Sequence, residues 1–315
     1  MGDVVSIRAK VKNELVTGSY PLVTADADSF VVQHPKHGRI RLPKAAATSG
    51  LPASAGVTLS YEELVAVIKE RFAVLDRMTT GVVDRHIRSL IVSGAAGVGK
   101  TYSIEKKLKE ARREEKVEKY TPNRGTLSPI GLYVLLYQHR HAGDVLLIDD
   151  CDAAFETLDT LNILKAALDT GKSRLISYAK EAYALKAEGI PARFEFEGAV
   201  IFISNMNFDA MVQSNSKLAP HLKALMDRSL YIDLGLHSTQ ALLARVENVC
   251  RETDMLRDLG LDDSQVEEVI RWIKDNFASL RSLSLRTAMQ IAGLIKTSSD
   301  WKSDAKVTML KAQRR

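Results

Sequence analysis

The chain has 315 residues, 45% of them hydrophobic and 26% charged, with a formal net charge of +5. That length suffices for one or two domains with a sizeable core, and the composition is ordinary for a soluble globular protein. No apolar run approaches the roughly 18 residues of a membrane span, and Met1-Gly2-Asp3-Val4-Val5 does not open a secretory signal.

Smaller signals bound the chemistry further. Gly2 and Ser6 fit a loose acylation pattern, which is short and disfavoured here. Cys151 and Cys250 lie far apart, as free thiols of a reducing compartment would, and the expected location is cytoplasmic. The seven histidines form no HxxxH or HExxH pattern. The positive charge is a mild pointer to nucleic acid.

In chain order, residues 4–42 read as β-rich. Phe30-Val31-Val32 and Arg39-Ile40-Arg41-Leu42 flank the turn-rich His34-Pro35-Lys36-His37-Gly38. Arg8, Lys10, Lys12, Lys36, Arg39, Arg41 and Lys44 make this module basic. It either docks nucleic acid or a protein partner, or merely pads the rest. The small, nearly uncharged stretch 43–58 has linker composition, which sets the module at 1–48 and the linker at 49–59. Ser60 can cap a helix from Tyr61 to about Asp76, with Leu64, Val67, Ile68, Phe72 and Leu75 on one face.

Strands and helices then alternate: strand 88–93, helix 100–114, strand 117–121, helix 129–140, strand 144–149, helix 155–170, and strands at 199–204 and 229–234. This pattern predicts an α/β fold, a parallel sheet between two helical layers, over 60–237. Helices at 239–250, 263–277 and 285–297 predict an all-α lid over 238–298. Residues 299–315 are set apart as a basic tail, with a short helix or a flexible end both open.

Two motifs carry chemistry. Gly94-Ala95-Ala96-Gly97-Val98-Gly99-Lys100-Thr101 reads G-x-x-x-x-G-K-T, between an apolar strand and a helix. Its glycines let backbone N–H groups face phosphates, and the helix adds N-terminal donors and its positive dipole end. Lys100 is placed for the β/γ-phosphates and Thr101 for Mg²⁺. Asp144-Val145-Leu146-Leu147-Ile148-Asp149-Asp150 is an apolar strand ending in two carboxylates, where ligands of such sheets bind. Asp149 is placed to hold Mg²⁺ and Asp150 to orient and deprotonate the attacking water.

Further motifs follow in a recognisable order. Ala199–Asn205 is a strand ending in a polar side chain. His221–Arg228 precedes another strand. Ser284-Leu285-Arg286-Thr287 opens a lid helix. With the first two as Walker A and Walker B, residues 60–298 resemble the AAA+ ATPases. The resemblance implies a three-layer αβα P-loop core with a helical lid, binding ATP and Mg²⁺ and working as a ring, taken as a hexamer. Asn205 would be sensor 1, positioning water. Arg228 would be the finger reaching a neighbour's nucleotide, with Lys223 also near that interface. Arg286 would be sensor 2, with Arg281 as the alternative. Walker B ends Asp-Asp where many members have Asp-Glu, as in replication initiators and helicase loaders. This implies slow or gated hydrolysis.

Nearly thirty residues separate helix 155–170 from strand 199–204. Arg174–Tyr178 and Arg193–Glu197 can be hairpin arms, resembling the insertion that some AAA+ branches carry before sensor 1. That hairpin, 172–197, would enter the pore and touch a threaded polymer; a decorative hairpin and a flap over the nucleotide are the other readings. Loop 121–126, polar with Arg124, would be the second pore element. With Lys172, Arg174, Lys180 and Lys186 it favours phosphate contacts. The expectation is an ATP-hydrolysing ring acting on DNA or other nucleic acid, of compact phage-like design. A MoxR- or unfoldase-like protein remodeller is the alternative, and a non-hydrolysing scaffold is third.

Overall fold

The computed structural model describes residues 4–11, 14–25, 29–43, 46–49, 60–155, 157–178, 183–213, 216–236 and 238–312. The chain divides into two units, Met1–Ser60 and Tyr61–Arg315.

The first unit is an antiparallel meander of β1 (Val4–Val11), β2 (Glu14–Ala25), β3 (Ser29–His34), β4 (Gly38–Pro43) and β5 (Ala47–Ser49). Their order in the sheet is β4-β3-β2-β1-β5. Phe30, Val32, Ile40 and Leu42 alternate into its core while Arg39 and Arg41 face out. Gly38, at φ +68°, closes the turn between β3 and β4. The expected linker begins at the last residue of β5, and 50–59 lie outside the described residues.

The second unit opens with α1 (Tyr61–Val83), seven residues longer than expected. The Thr79 and Thr80 hydroxyls bond back to the Leu75 and Asp76 carbonyls inside the helix, and Gly81 lies against Ile87. Five parallel strands follow: β6 (Ser89–Ser93), β7 (Tyr120–Arg124), β8 (Val145–Asp149), β11 (Ala199–Ser204) and β12 (Leu230–Asp233). They lie in the order β12-β6-β11-β8-β7. Near-continuous apolar runs suit strands covered on both faces. Leu90, Val92, Leu147 and Ile203 pack under α1, α2 (Lys100–Arg113) and α8 (Thr239–Glu252). Ile91, Leu146, Ile148 and Phe202 pack under α3 (Pro129–Gln138), α4 (Leu158–Ala167) and α7 (Ala219–Met226). The predicted αβα layering is therefore present.

One strand is displaced. Residues 117–121 were expected as strand and 121–126 as loop, whereas β7 spans Tyr120–Arg124, paired Tyr120↔Val145 through Arg124↔Asp149. Pro122 misled the reading. It sits in an edge strand, paired on one side only, where a missing backbone donor is tolerated. The pore-loop assignment of 121–124 is corrected accordingly.

The hairpin arms are β9 (Leu175–Ser177) and β10 (Arg193–Glu195), antiparallel, with the short helix α5 (Tyr183–Ala187) between them. Residues 179–182, including Lys180, lie outside the described residues. Arg174 is not available to a polymer. It is buried, donates to the Ala167 and Gly198 carbonyls and stacks on Phe196. Lys172 and Lys186 are exposed. A short helix, α6 (Phe208–Val212), follows β11.

The lid is α8, α9 (Asp263–Asn276) and α10 (Leu285–Thr297), joined by α11 (Trp301–Met309). Of the two readings open for 299–315, a short helix or a flexible end, the helix is what forms. Trp301 and Ala305 are buried in the lid core, Trp301 lies against Trp272, and Leu280 bridges to Leu310. Residues 313–315 are outside the described residues.

Candidate functional site

The parallel register brings the carboxyl ends of β6, β7, β8 and β11 to one rim, and the expected site residues gather there. Gly94, Gly97 and Gly99 have φ of +150°, +71° and +98°, so the loop after β6 follows a path that glycine permits. At its end Lys100 and Thr101 open α2, whose first backbone donors lack helical partners. Ala95, Ala96 and Val98 complete the loop.

Lys100 is only 4% exposed. Its ammonium donates to the Gly94 carbonyl at 2.6 Å, the Ala95 carbonyl at 2.9 Å and Asn205 Oδ1 at 2.8 Å. Burial pushes it down to about 8, against the opposing pull of Asp150, Asp149 and Asp152; Arg286 adds to the lowering.

Asp149, buried at the end of β8, accepts from the Thr101 hydroxyl at 3.1 Å on each oxygen. Burial raises its pKa, opposed by the hydrogen bonds from Arg124 and Thr101. Asp150 takes a left-handed backbone, φ +52°, and its N–H reaches the Ile203 carbonyl at 3.2 Å. This turn presents Asp150 Oδ1 to Asn205 Nδ2 at 2.8 Å. Asn205 thus lies between the lysine and the second carboxylate, as expected. Beneath it, Ser204 donates to Asp152 at 2.6 Å.

The site is suited to the expected metal. Among the described residues no group of three or more His, Cys, Asp or Glu could hold an ion alone. A hydroxyl and one carboxylate are hard oxygen donors of the kind Mg²⁺ takes, and would be a partial shell needing further ligands.

The lid meets the loop directly. Leu285 N–H donates to the Gly97 carbonyl at 2.9 Å. A methyl group on Gly97 would stand 3.8 Å from Arg286 Cδ, so Arg286 is beside the loop with its side chain exposed. Arg281, the alternative, is instead tied to the Leu310 carbonyl at 2.9 Å. Arg228 lies between α7 and β12, away from this cluster, and donates to the Ala224 carbonyl at 2.8 Å. Lys223 is exposed on α7.

Two arginines reach the rim without a sign of it in the sequence: Arg124, expected in a pore loop, and Arg245, given no role. Arg124 Nε lies 3.1 Å from Asp149 Oδ2 and its guanidinium also binds Glu105 of α2. Only the β7–β8 register puts it there, and no motif announces that. Arg245 of α8 donates to the Val98 carbonyl at 3.2 Å and lies 3.5 Å over the Phe72 ring. Burial lowers it to about 10. In the sequence it is one more basic residue on an amphipathic helix.

No known family profile matches the chain. Among solved structures, NtrX from Brucella abortus in complex with ADP is similar at 11% identity and a TM-score of 0.42, over 75% of this chain and 50% of that one. The complex with ATP gives 12% and 0.40, over 82% and 65%. The chain thus spans half to just under two thirds of NtrX, and likenesses this loose do not say what it binds. Among described residues no helix is long and apolar enough to cross a membrane. The 36.7 kDa protein of the nrdC–mobD intergenic region of Enterobacteria phage T4 is 44% identical over 238 residues, covering 76% of this chain and 73% of its own. This chain belongs to the family of that phage protein.

Proposed function

We propose that the chain is an Mg²⁺-dependent ATPase of the AAA+ type that assembles as a ring and remodels or translocates on nucleic acid. One observation carries the ATPase reading. Lys100, Thr101, Asp149, Asp150 and Asn205, from three separate strand ends, converge on one hydrogen-bonded rim beside a glycine-shaped loop.

The residues divide the work by position. The loop amides and Lys100 hold the triphosphate. Thr101 and Asp149 would hold the Mg²⁺, which when bound offsets phosphate charge. Asp150 takes the proton of the attacking water, and Asn205, bonded to it, sets the water's place. Arg286, on the lid, reports the γ-phosphate to α10. Arg228 acts on a neighbouring subunit's nucleotide, which requires release from the Ala224 carbonyl.

A protein client is the second reading, and two findings favour it over the sequence expectation. Arg174 is buried and Arg124 is engaged at the rim, so neither adds charge to a pore. Tyr183, on the helix between the hairpin arms, is 87% exposed, as a residue gripping a peptide would be.

The deciding experiment is steady-state ATP hydrolysis with single-stranded DNA, duplex DNA or no polymer, and Lys100→Ala as the blank. Stimulation by DNA that fades with salt supports the nucleic-acid motor. Hydrolysis indifferent to all nucleic acids removes it and leaves the protein client.

A further inference from the structure

Outside the nucleotide rim, α2 and the edge strand β7 enclose an open groove of about 560 Å³. Lys109, Arg112, Arg113 and Arg124 line it against a single carboxylate, Glu105. Glu105 is already shared between Lys109 and Arg124. Arg112 and Arg113 are exposed, and among the described residues no carboxylate pairs with either. Tyr120 forms part of the wall. It is 7% exposed, with its hydroxyl beside the Glu105 side chain. A cationic groove whose one carboxylate is already shared, with two arginines left open, suits an anion that brings acceptors.

The spacing favours a row of charges over a single ion. Lys109, Arg112 and Arg113 stand at i, i+3 and i+4 on one helical face. They span about 6 Å along the axis, so the charges are spread as neighbouring phosphates of one strand are, not gathered on one point. Arginine forks match phosphate oxygens. The groove also reaches the rim through Arg124, whose Nε holds Asp149.

We propose that this groove seats the phosphodiester backbone of a nucleic-acid strand, and that the strand's phosphates draw Arg124 off Asp149. The first half stands on the groove alone; the second rests on the nucleotide-site reading above. Asp149 and Thr101 are then free to hold Mg²⁺ only when the groove is filled, so nucleic acid and Mg²⁺-nucleotide strengthen each other's binding.

The test uses the full chain and a fluorescein-labelled oligodeoxythymidylate of about 20 nucleotides, longer than the roughly 4–16 that such sites occupy. Anisotropy is followed against salt. Replacing both arginines (R112A/R113A) should lower the slope of log K against log salt by about 1.4, at about 0.7 per single-strand phosphate contact. The charge-reversed pair (R112E/R113E) should weaken binding by at least about tenfold. Both side chains are exposed, and an unchanged melting curve shows that the fold is kept. Lys100→Ala should keep the wild-type slope while losing labelled ADP, so a failed nucleotide site and a failed groove are told apart.

For the coupling, saturating oligonucleotide should lower the Mg²⁺ concentration needed for labelled-ADP binding in the wild type. Arg124→Ala should need less Mg²⁺ from the start and show no further response. An oligonucleotide affinity and slope unchanged in R112A/R113A, or no binding by the wild type, overturns the groove. Normal oligonucleotide binding with an unmoved Mg²⁺ requirement overturns the Arg124 link.

Discussion

The contact between the lid and the glycine loop can be isolated by one methyl group. Gly97 has φ +71°, and a Cβ there would lie 2.8 Å from Ser284 Cβ and 3.1 Å from its hydroxyl. Those atoms belong to the residue that caps α10, so they cannot retreat without moving the lid. Gly97→Ala therefore meets two penalties, about 1–2 kcal/mol for a left-handed backbone and about 1–3 kcal/mol for crowding. Gly125→Ala is the control. Its φ is +99°, and nothing lies within 4 Å of the added carbon, so only the backbone penalty applies. For a chain of this size about 2–4 °C of melting temperature is lost per kcal/mol. Gly125→Ala should then lose about 2–8 °C and Gly97→Ala roughly 4–20 °C. Calorimetry on the full chain ranks the two, and labelled-ADP binding should fall in Gly97→Ala alone. If Gly97→Ala melts no lower than Gly125→Ala and binds ADP equally well, the lid does not rest on the loop as described.

Four other outcomes follow from the same geometry. Asp150→Asn should cut hydrolysis by about 10²–10⁴ while labelled-ADP affinity stays near wild type. Arg228→Ala should cost about 10³–10⁵ in turnover if the residue serves a neighbour's nucleotide; mixing it with inactive Asp150→Asn chains should restore some hydrolysis, and no restoration argues against action between subunits. Trp301→Ala should destabilise the lid by about 3–5 kcal/mol, a loss that an unstructured tail would not produce. Glu247 is buried in α8. Burial would raise its pKa, but hydrogen bonds from Tyr61 and Lys274 and the charge of Arg251 win and hold it below the ordinary carboxylate value. The unfolded chain therefore takes up this proton first as pH falls. Its stabilisation is full above about pH 5 and is lost as the folded group protonates. Acid-melting curves should show that loss in the wild type, and Glu247→Gln should flatten it.

The sequence made the rim legible because the relevant physics is local. A phosphate loop needs glycines at set offsets and a helix after them, and Gly94 through Thr101 supply both. A buried strand needs an uninterrupted apolar run, so Asp149 and Asp150 stand out where the run stops. Ser128 and Ser284 cap α3 and α10 through short-range contacts, each accepting from the backbone three residues on. The AAA+ resemblance points to Arg286 and Asn205, and the structure sets the first beside the loop and the second on Lys100.

What escaped the reading depends on pairings between distant segments. Pro122 argues for a loop in isolation, and only the edge position of β7 reverses that. With the strand shifted, Arg124 moves from a polymer-facing loop to the side of Asp149, where the register pairs them directly. Arg174 and Arg245 show the same effect. Each reads as a solvated cation, yet one lies on Phe196 and the other on Phe72, donating to backbone carbonyls. A guanidinium buried this way loses more hydration than the attraction of Glu197 or Glu252 restores, which is why burial lowers both to about 10. Charge counts along the chain therefore overstate what an anionic partner can meet at these two positions. They understate what is gathered along α2, where Arg112 and Arg113 remain open to an anionic strand.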